Sequence, residues 1–143
     1  EQMTGLKNLG AYLGRLFTID ALFLNEDRHT HNIAVLCDDL GEFHYCPIFD
    51  NGAALLSDLT MDYPMNREIT ELIPQVGAKT LCLDIDEQLD AVESIYGQTL
   101  HFSFNEHMID ELLEKEQYYS DEIKARVKQI LLQQRRKYQY LFR

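Results

Sequence analysis

Along residues 6–24 the apolar positions Leu6, Leu9, Leu13, Leu16, Phe17, Ile19 and Phe23 recur with the 3.6-residue period of a helix. That stripe predicts a buried helix of about five turns. Gly10 and Gly14 interrupt it, each at a cost of about 1 kcal/mol relative to Ala, and so predict a neighbour packed closely against the helix there. A polar stretch follows, Asn25-Glu26-Asp27-Arg28-His29-Thr30-His31-Asn32. Next come two short apolar runs, residues 33–37 and 43–48, separated by the turn-forming Asp38-Asp39-Leu40-Gly41-Glu42. They read as a β-hairpin. A tight hairpin sets the start of its first strand beside the end of its second, so Asn32 is expected to converge on Asp50 in Phe49-Asp50-Asn51-Gly52.

The middle of the chain is less patterned. Residues 53–56 are apolar and fit a short helix or a buried turn; residues 57–64 read as a surface loop, and residues 66–73 as a short helix stopped by Pro74. Three helices with readable ends follow. Asp84 and Glu87 form a capping box ahead of Leu89, Val92 and Ile95, and Gly97 closes that helix. The next starts at Asn105, with Phe104 and Ile109 as a hydrophobic staple and Leu112 and Leu113 continuing the face. Ser120 caps the last, whose apolar face runs through Ile123, Val127, Ile130, Leu131, Tyr138 and Leu141. The class is mainly α (α+β), with one small hairpin. No repeat, linker or low-complexity tract divides the chain, so residues 1–143 are expected to form one domain.

Composition narrows the field. At 45% hydrophobic and 26% charged residues the chain is ordinary globular protein, and no apolar run approaches the roughly 20 residues of a membrane-spanning helix. A net charge of −11 argues against binding nucleic acid or anionic membranes, which clustered Lys and Arg would hold. Arg135-Arg136-Lys137 falls at a helix C-terminus, where it complements the dipole. Cys37, Cys46 and Cys82 lack zinc-site spacing and read as reduced, buried thiols of a cytoplasmic protein. The chain opens on Glu1-Gln2-Met3, with neither initiator Met nor signal segment, as an excised piece of a longer protein would.

The chemistry lies in the polar stretch. Asp27 and Asn32 stand in the spacing Asp-x-x-x-x-Asn that phosphoryl-transfer enzymes of the protein-kinase type use in their catalytic loop. The acid must reach the attacking hydroxyl, and an amide oxygen five residues on can meet a magnesium ion. Asp50 supplies the second oxygen ligand. Magnesium takes one or two protein oxygens and keeps water and phosphate for the rest. Arg28 reads either as a phosphate contact or as an ion pair that holds the loop, and Asp20 either orients the loop or faces solvent. His29 reads as a packed loop residue; with His31 it has no Cys or acid placed to complete a zinc site. Ser57 and Thr60 follow Asp50 as an activation segment would, or are surface hydroxyls; Tyr118, Tyr119, Tyr138 and Tyr140 read as helix packing.

The run Asn-Glu-Asp-Arg-His-Thr-His-Asn-Ile-Ala-Val, then a hairpin, then Pro-Ile-Phe-Asp-Asn-Gly resembles the C-terminal kinase domain of HipA-like proteins, the Ser/Thr kinases of bacterial toxin–antitoxin systems. The Asp-Arg-His-x-x-Asn order is also similar to that of phosphatidylinositol kinases. The resemblance covers residues 23–54. It implies a kinase C-lobe whose long helix precedes the catalytic loop, with Asp27 as catalytic base and Asn32 and Asp50 as magnesium ligands beside ATP. It also implies a protein substrate and an antitoxin or N-lobe partner. Departures are a missing His-Arg before Asp27, and Asn51 where protein kinases have Phe. No Gly-rich loop precedes Leu6, and Lys7 stands too near the long helix to be the phosphate-pairing Lys, so the N-lobe is expected to be absent and the chain alone inactive. Two other readings are a degenerate kinase-fold binding or regulatory module and a lipid or small-molecule kinase.

Overall fold

The computed structural model describes residues 2–143. Five α-helices and one antiparallel hairpin make it up: α1 (Leu9–Phe23), β1 (Val35–Cys37), β2 (Phe43–Tyr45), α2 (Ile69–Leu72), α3 (Ile85–Tyr96), α4 (Glu106–Lys115) and α5 (Asp121–Lys137). Helix α1 is central. It packs chiefly on α3 and also on α5, with Leu16, Phe17, Ala21 and Leu22 removed from solvent. Both glycines sit where they were expected to matter. A Cβ at Gly10 would lie 1.9 Å from the Tyr96 ring, and one at Gly14 would lie 2.6 Å from Thr99 Oγ1.

The two contacts differ in how much they can give. Tyr96 is 54% exposed and meets Gly10 with the far end of a flexible side chain, whereas Thr99 presents a short β-branched side chain to Gly14. Gly14→Ala is therefore expected to be net destabilising, since overpacking costs about 1–3 kcal/mol against the roughly 1 kcal/mol gained in helix propensity. Gly10→Ala should be close to neutral. Urea unfolding of the two variants checks this, and equal stabilities would refute the packing argument.

Helix α1 is capped at its C-terminus by Leu24, a buried residue held in the left-handed region at φ 56°. The turn leaves C-terminal carbonyls of the helix without intrahelical donors. Distant segments supply them. Gln134 of α5 donates its Nε2 to Ala21 O at 3.0 Å, and Leu55 N–H donates to Phe23 O at 2.8 Å. The helix end that feeds the polar stretch is thus tied both to α5 and to the segment after Asp50.

The three later helices start where their caps predicted. Asp84 Oδ1 accepts from the N–H groups of Asp86 and Glu87, Asn105 Oδ1 from Met108, and Ser120 Oγ from Ile123. Gly97 follows α3 at φ 69°. Several apolar faces are narrower than periodicity suggested: Ile95 is 73% exposed and Leu112 69%, with only Ile109 buried on α4. Tyr138 is buried, but Tyr118 is 93% exposed, so the aromatic end is not packed throughout. Tyr138 ends α5 rather than continuing it, and Leu141 reaches the core from a 3-10 turn. Residues 66–73 shrink to α2 plus a 3-10 turn, Ile73–Gln75, that contains Pro74. Lys137 pairs with Asp86 at 2.6 Å and Arg135 lies over the Phe142 ring, which engages two members of the basic cluster in structural contacts.

The hairpin is shorter than its apolar runs. Val35 pairs with Tyr45, Leu36 with His44 and Cys37 with Phe43. Asp38 organises the turn, its Oδ1 accepting from Leu40 and Glu42 N–H. The cysteines are free and none is buried: Cys37 is exposed and the other two are half-buried, contrary to the expectation of core thiols. No helix among the described residues is long and apolar enough to cross a membrane.

Candidate functional site

Arg28 is the hub of the polar stretch. Its side chain is 1% exposed, as is that of Asp20 from the last turns of α1, and the two meet at 3.0 Å through both Nε and Nη2. Asp20 is thus a buried acid rather than a solvent-facing one, and Arg28 is its ion-pair partner. Asn25 adds a third donor to Asp20 at 2.9 Å. Burial pushes the Asp20 carboxyl pKa up, opposed by the bonds from Arg28 and Asn25. Three donors, two of them from a guanidinium, converge on its two oxygens and favour the ionised carboxylate.

The remaining guanidinium donors reach across the hairpin. Nη1 donates to Asn32 O at 3.3 Å and to Phe49 O at 2.5 Å, and Nη2 donates to Asn51 Oδ1 at 2.6 Å. One nitrogen thus joins the residue that closes the polar loop to the residue before Asp50. The two ends of the hairpin are thereby brought together at Asn32 and Phe49. Asp50 itself is exposed and left-handed at φ 55°, a conformation that Asp tolerates better than most residues.

Asn32 lies in a short 3-10 turn, Thr30–Asn32, and is buried. Its Nδ2 donates to Asp27 O at 3.1 Å, which commits the amide nitrogen to the loop's own backbone and leaves Oδ1 as the acceptor for a ligand. Asp27 is half-exposed and paired with Lys79, whose Nζ lies 2.8 Å from Oδ1. His29 is half-buried, its ring set edge-on to His31.

Lys79 was not legible from the sequence, nor were two other supports. Thr80 Oγ1 donates to Arg28 O, and Tyr63 OH donates to Glu26 Oε2 at 2.5 Å. Residues 63, 79 and 80 come from the unpatterned middle of the chain, and no local spacing announces a partner 37 or 52 positions away. Asn51, noted only as a departure, is an Arg28 ligand.

The Lys79 hydrogen bond holds the Asp27 carboxyl pKa below the usual carboxylate value, and Asp27 in turn raises that of Lys79. The pair therefore contributes over the whole neutral range. Its share is lost as pH falls through the lowered Asp27 value or rises through the raised Lys79 value. With both side chains about half-exposed, the total is only about 0–1 kcal/mol. Lys79→Met should bring the Asp27 pKa up toward the ordinary carboxylate range with little change in stability. A carboxyl-detected NMR titration measures this, and an unmoved Asp27 would refute the coupling.

The mainly α, α+β arrangement of long helix, loop, two-stranded hairpin and following helices is that of a kinase-like C-lobe. Among solved structures the chain is similar to a Helicobacter pylori proinflammatory kinase, CtkA, with a TM-score of 0.65 at 19% identity over 90% of this chain. The match covers 53% of that kinase, so the chain spans about half its length. At this identity the likeness is one of fold. No family model matches the chain, and no curated protein matches it.

Proposed function

We propose that the chain is the C-terminal lobe of a HipA-like Ser/Thr protein kinase, which in its complete form transfers the ATP γ-phosphate to a protein hydroxyl. The observation that carries the reading is the Arg28 guanidinium, which holds Asn32 and Phe49 on one nitrogen while Asn32 spends its amide nitrogen on Asp27. Asn32 Oδ1 and the Asp50 carboxylate are hard oxygen donors, two in number, and so fit magnesium. The ion, when bound, would neutralise charge on the ATP phosphates. Asp27 takes the proton of the acceptor hydroxyl, and its exposure leaves it accessible to a substrate side chain. Arg28 acts by positioning: its donors are spent on Asp20, Asn32, Phe49 and Asn51, so the alternative of a direct phosphate contact is not favoured. The proposed partners are a protein substrate and an N-lobe or antitoxin, in the cytoplasm.

The Lys79 ion pair favours a second reading, a kinase-fold binding module in which Asp27 pairs with Lys79 instead of serving an acceptor hydroxyl. Labelled ATP and magnesium supplied to the full-length gene product separate the two. Label on Ser or Thr of protein supports the kinase, and label in lipid extract alone moves the acceptor class. No transfer, with nucleotide or partner still bound, selects the binding module.

A further inference from the structure

Arg28 and Lys79 both stand next to Asp27, one along the chain and one across the fold, and they are employed differently. Arg28 spends its guanidinium on Asp20, Asn32, Phe49 and Asn51. Lys79 makes one side-chain bond, from Nζ to Asp27 Oδ1 at 2.8 Å, and the rest of its ammonium donors have no partner among the described residues. With the side chain 54% exposed, those donors open to solvent.

The backbone fixes where this ammonium stands. Ala78 N–H donates to Leu83 O at 2.9 Å, Thr80 Oγ1 donates to Arg28 O, and Leu81 N–H donates to Gln88 Oε1 at 2.9 Å. Lys79 is thus carried on a segment fastened on one side to the loop that holds Asp27 and on the other to α3. The ion pair itself opens at little cost, because a half-exposed pair contributes only about 0–1 kcal/mol. Asp27 Oδ2 has no partner among the described residues, so the acid can receive a hydroxyl there while Lys79 stands at Oδ1.

Phosphoryl transfer spreads negative charge over the non-bridging oxygens of the moving group, and fixed positive charge beside them lowers the barrier. Asn32 is neutral, Asp50 is negative and Arg28 is spent, which leaves Lys79 to offer that charge. We infer that Lys79 is a further catalytic residue, donating to the non-bridging oxygens of the transferring phosphoryl group. The inference rests on the phosphotransfer reading and adds a residue to it. In the step, the acceptor oxygen bonds to the γ-phosphorus, and the bond from phosphorus to the β–γ bridging oxygen breaks, so that ADP leaves with the electron pair. The acceptor's proton passes to Asp27 Oδ2. Lys79 keeps its own proton and acts by charge.

Initial rates with labelled ATP and magnesium are measured on the full-length gene product, the acceptor being whichever fraction, protein or lipid, the wild type labels. Lys79→Met is expected to lower kcat roughly 10²-fold or more with little change in KM for ATP, and Lys79→Arg to restore part of the loss. Magnesium, ADP and aluminium fluoride together mimic the moving phosphoryl group. Lys79→Met should weaken that complex roughly tenfold or more while magnesium-ADP binds as it does to wild type, a difference that merely steadying Asp27 would not produce. Unchanged kcat in Lys79→Met, or unchanged affinity for the fluoride complex, would overturn the inference. If Asp27→Asn is slow in the same assay, the phosphotransfer reading survives that outcome. No transfer by the wild type to either fraction would remove both.

Discussion

Full-length protein carrying Asp27→Asn is expected to transfer phosphate roughly 10²- to 10⁴-fold more slowly than wild type, the range supplied by a positioned general base. Asn keeps the shape of Asp and an oxygen for Lys79, but it cannot take a proton. Because the Asp27 side chain is 45% exposed, the substitution should leave the melting temperature almost unchanged. Asp50→Asn is the matching test of the second acid. Asn tolerates the left-handed backbone that residue 50 adopts, whereas Ala would add strain and confuse loss of charge with loss of conformation. Initial rates at saturating magnesium and ATP measure both, with circular dichroism as the folding control. Undiminished transfer by the two variants would remove Asp27 and Asp50 from the proposed machinery.

Arg28→Met carries the largest expected cost in stability, about 3–5 kcal/mol, because it strands the Asp20 carboxylate in a site without solvent. The deficit should depend on pH. Without the guanidinium, burial drives the Asp20 pKa further above its unfolded value, so the folded variant binds a proton that the unfolded chain does not. Its stability then falls as pH rises from the ordinary carboxylate value through that elevated pKa, and is flat beyond. The gap to wild type should therefore be narrower at acid pH than at pH 7.5. Arg28→Met combined with Asp20→Asn should cost less than the two single changes added together. Urea unfolding across this pH range measures both effects, and a pH-independent, additive deficit would refute the buried ion pair as their source.

The parts of the fold that could be read in advance are those whose cause is local. The period of α1 lies within residues 9–23, and the caps of α3, α4 and α5 each bond an N–H two or three residues away. Asp20 was ambiguous because an acid among apolar neighbours is buried or exposed according to a partner eight residues further on, and periodicity cannot see a partner. The segment from 53 to 83 was opaque for a related reason. Leu55 and Leu56 adopt left-handed backbone at φ 58° and 56°, against their intrinsic preference, and Leu55 N–H is drawn to Phe23 O. Tertiary bonds decide that path. Ile95 and Leu112 failed in the opposite direction: a helical apolar period was present, but no neighbouring element covers those positions.

The ligands of Arg28 are of two kinds, and the division predicts how related chains would vary. At positions 32 and 49 the guanidinium is held by main-chain carbonyls, which every amino acid supplies, so the clamp alone places no demand on the side chain at 49. At positions 20 and 51 it is held by side-chain oxygens, which few residues can replace. Substitutions at 20, 28 and 51 should therefore be inherited together, whereas position 49 can drift among residues that suit the surface.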